Sequence, residues 1–305
     1  MNIARSNGIE LAWDSFGDVT DEAILLISGL GTQMIRWTIP FCEQLAAAGY
    51  RVIRFDNRDT GCSTHFGSLP SPDFGALASA LMAGRRPQVP YTLGDMAVDA
   101  VSLLDTLGIA KAHVVGRSMG GMIAQVLASD HADRVLSLTS IMSSTGNPAL
   151  PQAAPDVMAM MMTPAPDPAI DQQGFLAARL AFARRIAGIG YPFNEDAHRT
   201  LLLEEVRRNH DPDGVARQIA GMAVAGDRRS RLATITAPTL VIHGTDDPLI
   251  PSACGQDTAL SIPNAIYLPI EGMGHDLPGE LEQTVIKAIC SMTKKKNFAG
   301  APHTA

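Results

Sequence analysis

The feature that most constrains this chain is Gly116-Arg117-Ser118-Met119-Gly120, which joins an apolar β-rich run ending His113-Val114-Val115 to a helical run beginning Met119-Gly120-Gly121-Met122. G-x-S-x-G by itself is a common pattern. Between a strand and a helix it becomes specific, because the serine must occupy a strained turn and the glycines must let strand and helix approach closely. The rest of the chain keeps the same rhythm. Strand-like runs at Ile9–Phe16, Ala23–Ser28, Arg51–Asp56, Ala112–Gly116, Val135–Ile141, Thr239–His243 and Ile266–Leu268 alternate with helical patterns at Phe41–Ala48, Thr92–Leu107, Met119–Ser129 and Glu282–Met292. In Thr92–Leu107 the residues Met96, Ala100, Leu103, Leu104 and Leu107 fall on one helical face, with Gly108 just beyond the end. This order predicts an α/β fold with a mostly parallel central sheet and flanking helices.

One stretch breaks the rhythm. Residues 147–232 hold no β-rich run and open with Pro148, Pro151, Pro155, Pro164, Pro166 and Pro168, which predicts a helical insertion between two strands. It carries ten Arg against ten Asp plus Glu, so it is not a basic docking surface. The expected organisation is therefore a core of 1–146 and 233–293, an inserted cap of 147–232, and a frayed tail of 294–305. Across all 305 residues, 46% are hydrophobic and 18% charged, enough apolar surface for a large core and against a disordered chain. The net charge of -7 opposes nucleic acid as a partner, since counterion release needs clustered cations. No apolar run is long enough to span a bilayer and the first residues lack a secretory layout, so the expectation is a cytoplasmic protein without stable membrane insertion. Cys42, Cys62, Cys254 and Cys290 show no disulfide or metal spacing and are expected as reduced thiols. Oligomeric state is not readable.

A serine hydroxyl is a weak nucleophile until a base takes its proton, and the base needs an acid to orient it. Both stand downstream. Val241-Ile242-His243-Gly244-Thr245-Asp246-Asp247-Pro248 sets carboxylates at the end of a strand, where the sites of such sheets form. Gly272-Met273-Gly274-His275-Asp276 sets a histidine in a loop after the last strand, giving the order Ser, Asp, His expected for this kind of turn. From the residues alone, Asp246 and Asp247 are both open as the acid.

Together with Phe55-Asp56-Asn57-Arg58-Asp59-Thr60-Gly61-Cys62-Ser63, these segments give the chain a resemblance to the α/β-hydrolase superfamily over nearly its whole length. More narrowly, it resembles the bacterial esterase branch that includes the mycobacterial LipG-type lipases and the anthracycline methyl esterases. The resemblance implies an α/β-hydrolase fold with a helical cap insertion and a serine carboxylic-ester hydrolase. Ser118 would be the nucleophile, His275 the base and Asp247 the acid, as the carboxylate before proline in G-x-x-D-P. The position after the preceding strand, where some relatives keep the acid, here reads Ile141-Met142-Ser143-Ser144. Oxyanion donors would be the backbone N–H of Met119 and of Leu30, in Ser28-Gly29-Leu30-Gly31, and losing one such donor costs roughly 3 kcal/mol of transition-state stabilisation. Many relatives have His-Gly where this chain has Ser28-Gly29.

Gly29, Trp37, Met122, Met158, Met162 and Met273 are the candidate pocket residues, the methionines because flexible thioethers suit an adaptable acyl pocket. The inserted segment's composition points to an uncharged ester of short to medium chain as the substrate. No cofactor is expected, and the histidines lack metal-ligand spacing, so no catalytic metal is expected either. His243 and His113 read as packed side chains, while Asp56, Arg58 and Ser63 read as the braces of a tight turn. Because the base must be neutral, the rate should fall as pH drops through roughly 6 to 7, near the reference histidine value. The same triad also serves C-C bond hydrolases, cofactor-free perhydrolases or haloperoxidases and proline iminopeptidases. A non-catalytic ligand receptor on this fold usually shows a damaged triad, whereas here all three members are present.

Overall fold

The computed structural model describes residues 1–294. The proposed tail, apart from Lys294, lies outside the described residues. In chain order the strands are β1 (Asn2–Ser6), β2 (Ile9–Phe16), β3 (Glu22–Ile27), β4 (Tyr50–Phe55), β5 (Ala112–Arg117), β6 (Val135–Ile141), β7 (Thr239–Gly244) and β8 (Ile266–Ile270). The helices are α1 (Ile39–Ala47), α2 (Phe74–Met82), α3 (Leu93–Thr106), α4 (Met119–Asp130), α5 (Pro155–Met162), α6 (Gln172–Ile186), α7 (Glu195–Arg208), α8 (Pro212–Ala223), α9 (Arg229–Leu232), α10 (Ser252–Ser261) and α11 (Gly279–Thr293). They build one eight-stranded sheet in the order β1-β2-β4-β3-β5-β6-β7-β8. Pairing is antiparallel from β1 to β2 and from β2 to β4, and parallel across the remainder.

Alternation along the central strands divides the core. Leu25, Ile27 and Val114 face α3 and α4, while Ile24, Leu26 and Val115 face α1 and α11. The two apolar layers thus cover both faces of the sheet and leave the carboxyl ends of β3, β5, β7 and β8 along one edge. All five helices α5–α9 lie between β6 and β7 in the chain. Three of them start on the same local device: Asp171, Asn194 and Asp211 accept a hydrogen bond from the amide three residues on, at 2.8, 3.0 and 2.8 Å. A small core of Phe175, Leu176, Leu180 and Leu202 holds α6 against α7.

Three elements go beyond the sequence reading. β1 has no clean alternation and forms because β2 offers it an edge. α2 buries only Leu77, and α10 follows Pro251 without a side-chain cap, so neither shows a strong periodic signal. The turn after β4 is braced as expected: Asp56 accepts from the amides of Met34 and Cys62 at 2.7 and 3.0 Å, Ser63 Oγ donates to Asp56 O at 2.6 Å, and Arg58 grips both oxygens of Asp99 at 2.6 Å. No helix among the described residues is long and apolar enough to cross a membrane.

Candidate active site

Ser118 stands where β5 turns into α4, with φ 54 and ψ -123, a conformation that a residue with a side chain holds only when its surroundings impose it. The surroundings are backbone. A Cβ on Gly116 would lie 2.1 Å from Gly120 O, and one on Gly120 would lie 2.2 Å from Ile27 O. The two glycines therefore let β5, α4 and the end of β3 converge. The Ser118 amide donates to Ile141 O and Ser143 Oγ donates to Ser118 O, both at 2.9 Å, which fixes the turn from the β6 side.

His275 arrives on the loop after β8. Its Nε2 lies 2.9 Å from Ser118 Oγ and its Nδ1 lies 2.7 Å from Asp247 Oδ2. With Nδ1–H donating to the carboxylate, Nε2 presents a lone pair to the serine hydroxyl. The loop is clamped from the inserted segment: the His275 amide donates to Ile186 O at 2.6 Å, Gly274 N to Ala187 O at 3.1 Å, and Gly190 N to Gly272 O at 2.9 Å.

Asp247 lies beyond β7 with its side chain fully buried, and its second oxygen accepts from the amides of Leu249 and Ile250 at 2.9 and 2.8 Å. Burial pushes its pKa up, but the charge of His275 and hydrogen bonds from His243 and His275 outweigh that and hold the carboxyl far below the usual range. His243, which is fully buried, donates from Nε2 to Ile250 O at 2.7 Å and so packs beneath this turn. Asp246 points its Oδ1 at Thr245 Oγ1, at 3.1 Å, and not at His275.

The loop after β3 completes the cluster. A Cβ on Gly29 would lie 3.2 Å from Ser118 Cβ, which puts this loop against the serine. Among the described residues the amides of Leu30 and Met119 have no hydrogen-bond acceptor. Side chains from α7 and α8 hold the loop in place. Gly31 N donates to Gln218 Oε1 at 2.8 Å, and Gln33 Nε2 donates to Glu205 O and Asn209 O at 2.8 and 3.0 Å. Ser118 and His275 open into a cavity of about 690 Å³ roofed by α5–α8.

A chain-wide family comparison decides the kinship: residues 22–280 match the family described as alpha/beta hydrolase fold. The chain belongs to that family. Among the relatives of this α/β hydrolase is rhodomycin D methylesterase DauP of Streptomyces sp. strain C5, 34% identical over 92% of this chain and 94% of that protein. Another is rhodomycin D methylesterase DnrP of Streptomyces peucetius, 32% identical over 92% of this chain and 94% of that protein. Among solved structures, the enol-lactonase of Burkholderia xenovorans LB400 superposes with a TM-score of 0.70 at 25% identity, covering 96% of this chain and 100% of that one.

Within this α/β hydrolase, Gly29, Met122 and Met158 line the cavity, together with Met160 and Met161. Three expected pocket residues lie elsewhere. Trp37 is buried beneath the site, its ring 5.3 Å from that of Phe41, and Met273 is buried in the same apolar layer. Met162 ends α5 and is 64% exposed, on the outer side of that helix. Among the charged residues of the wall, Arg36, Arg117, Arg179, His198, Glu205 and Asp276 were not singled out by sequence. Arg117 and Asp276 adjoin Ser118 and His275, which is a usable signal, whereas the others sit on separate segments that only the fold brings together. Asp59, His65 and Asp211 are the one grouping among the described residues with metal-ligand proximity. Arg217 already donates to both Asp59 oxygens at 2.8 Å and to Asp211 at 3.2 Å, and Tyr91 Oη donates to Asp59 at 2.6 Å, so an internal cation fills that role.

Proposed function

We propose that this α/β hydrolase is a serine carboxylesterase that cleaves carboxylic esters of short to medium chain through an acyl-enzyme. The observation that carries the reading is the unbroken hydrogen-bond relay from Ser118 Oγ through His275 to Asp247, at 2.9 and 2.7 Å, opening into the cavity. Ser118 Oγ attacks the ester carbonyl while His275 Nε2 takes its proton. Asp247, ionised and buried, holds the Nδ1–H tautomer and stabilises the imidazolium. The carbonyl oxygen becomes an oxyanion within reach of the Leu30 and Met119 amides, the latter at the positive end of α4. Collapse expels the alcohol, which leaves with the proton from His275. Water activated by the same histidine then hydrolyses the acyl-enzyme, regenerating Ser118 and releasing the acid.

The segment from 147 to 232 acts as the cap over this chemistry. The cavity volume falls within the about 300–1,000 Å³ of small-ligand pockets, and the named activity of the methylesterase relatives supports an ester as the substrate. The test is hydrolysis of p-nitrophenyl esters from acetyl to palmitoyl by the wild type and by Ser118→Ala. A peak at one chain length that vanishes in the variant supports the reading. Wild-type rates in Ser118→Ala would remove Ser118 as the nucleophile.

A further inference from the structure

Two of the arginines on the cavity wall have no close carboxylate partner among the described residues. Arg36, Arg117, Arg179 and His198 share it with Glu205 and Asp276 and with Asp59 and Asp211, and Arg217 holds the last two. Arg36 is fully engaged, donating to the two Glu205 oxygens at 2.8 and 2.7 Å. His198 faces an acceptor on each ring nitrogen, Asp276 at 3.2 Å and Asn194 O at 2.9 Å. The other two cations are poorly served. Arg117 reaches Arg36 O at 3.4 Å and Asp276 at 4.0 Å, both long for a guanidinium, and otherwise lies over the Trp37 ring. Arg179, on α6, meets no carboxylate within ion-pair distance among the described residues and lies over the Phe175 ring.

Both guanidiniums line the same cavity as the Arg36–Glu205 pair. Burial draws the pKa of each down, and the carboxylates only partly offset it. Arg117 directly precedes Ser118, so this part of the cavity adjoins the reacting hydroxyl. A guanidinium without a close carboxylate keeps its planar fork free, and that fork matches the two oxygens of a carboxylate.

We propose that the ester taken by this cavity carries a carboxylate of its own, on the acyl or the alcohol side, and that Arg179 and Arg117 hold that carboxylate while Ser118 meets the ester carbonyl. This rests on the ester-hydrolase reading. It replaces the uncharged substrate to which the inserted segment's composition points: that segment is mostly apolar, but it and the core each turn into the cavity a guanidinium with no close carboxylate.

The test compares monomethyl glutarate with dimethyl glutarate, matched in length and differing in charge. Rates are measured for the wild type, Arg179→Met and Arg179→Lys, and both esters are titrated calorimetrically into Ser118→Ala. The wild type should favour the monoester in kcat/KM by about ten- to a hundredfold, mainly through KM. Arg179→Met should bring that ratio towards one, and Arg179→Lys should keep part of it, retaining the charge but not the fork. Ser118→Ala should bind the monoester more tightly by a similar factor. A wild-type ratio at or below one, or a preference that survives Arg179→Met, overturns the proposal. If neither ester is cleaved but the calorimetric preference stands, the ester-hydrolase reading fails and the carboxylate subsite remains. Cleavage of both without preference does the reverse.

Discussion

Ser118, His275 and Asp247 stand on turns fixed by backbone, whereas the groups facing them across the cavity stand on helices and are placed by side-chain pairing. On the sheet side, glycine contacts of about 2 Å to a hypothetical Cβ and amide hydrogen bonds to Ile141 O and Ile186 O leave little room for alternatives. On the helix side, Arg36 with Glu205 and His198 with Asp276 make the connections. The first kind of construction tolerates almost no substitution because close backbone approach has no substitute. The second can be rewritten one side chain at a time, so it is the side on which relatives of one fold are free to differ. The two sides are nonetheless joined, since the Ile186–Gly190 segment clamps the His275 loop and Gln218 and Gln33 tie the Gly29–Gly31 loop to α8 and α7.

The largest way to break the contrast lies on the sheet side. Asp247→Asn keeps the shape but loses the charge and favours the wrong histidine tautomer, so kcat should fall by roughly 10³- to 10⁴-fold while the far-ultraviolet dichroism is unchanged. A loss under tenfold would show that the relay is not used. Next, Gly120→Ala forces a Cβ to 2.2 Å from Ile27 O and should destabilise the fold by about 4 kcal/mol or more, read as a lowered urea midpoint. An unchanged midpoint would mean that the turn can open.

On the helix side the effects should be smaller and graded. Glu205→Gln leaves Arg36 short of its partner and should cost about 2 kcal/mol in unfolding free energy, with a raised KM because α7 also carries the acceptors for Gln33. The smallest effect is that of His198→Ala, and its size depends on pH. Burial works against the charge of His198, but hydrogen bonding and attraction from Asp276 prevail and raise its pKa. Burial likewise pushes Asp276 up, yet His198 and Arg117 bring it down to about 2. A raised histidine pKa stabilises fully below its ordinary value of about 6.5 and ceases to do so as pH rises through the raised value. A lowered carboxylate pKa stabilises above the ordinary value of about 3.9 and fails as pH falls through about 2. The melting-temperature gap between wild type and His198→Ala should therefore be widest near pH 5 to 6 and shrink by pH 9. A gap that widens towards pH 9 would contradict the pairing.

Legibility in the sequence follows the same division. The elbow at Ser118, the strand-end carboxylates and the His275 loop could be read because each depends on local chain order, glycine spacing and position after a strand. Asp246 and Asp247 could not be separated from the residues alone, since only the fold shows which carboxylate turns under His275 and which meets Thr245. Trp37 and Met273 were expected in the pocket because their neighbours in sequence lie there, but each faces the buried layer below. Arg179, His198 and Glu205 left no local mark, because a helical position facing a cavity looks in sequence like any other polar position. Their convergence is a product of how α6 and α7 pack on Phe175 and Leu202.

The central claim, that Ser118 carries the acyl group, is tested most directly by mixing the protein rapidly with a p-nitrophenyl ester, quenching within one turnover, and locating the added mass by peptide mass spectrometry. The account predicts a burst of p-nitrophenol and an acyl adduct on the peptide bearing Ser118, absent from Ser118→Ala. An adduct on another residue, or steady hydrolysis with no adduct in a variant lacking Ser118, would contradict it.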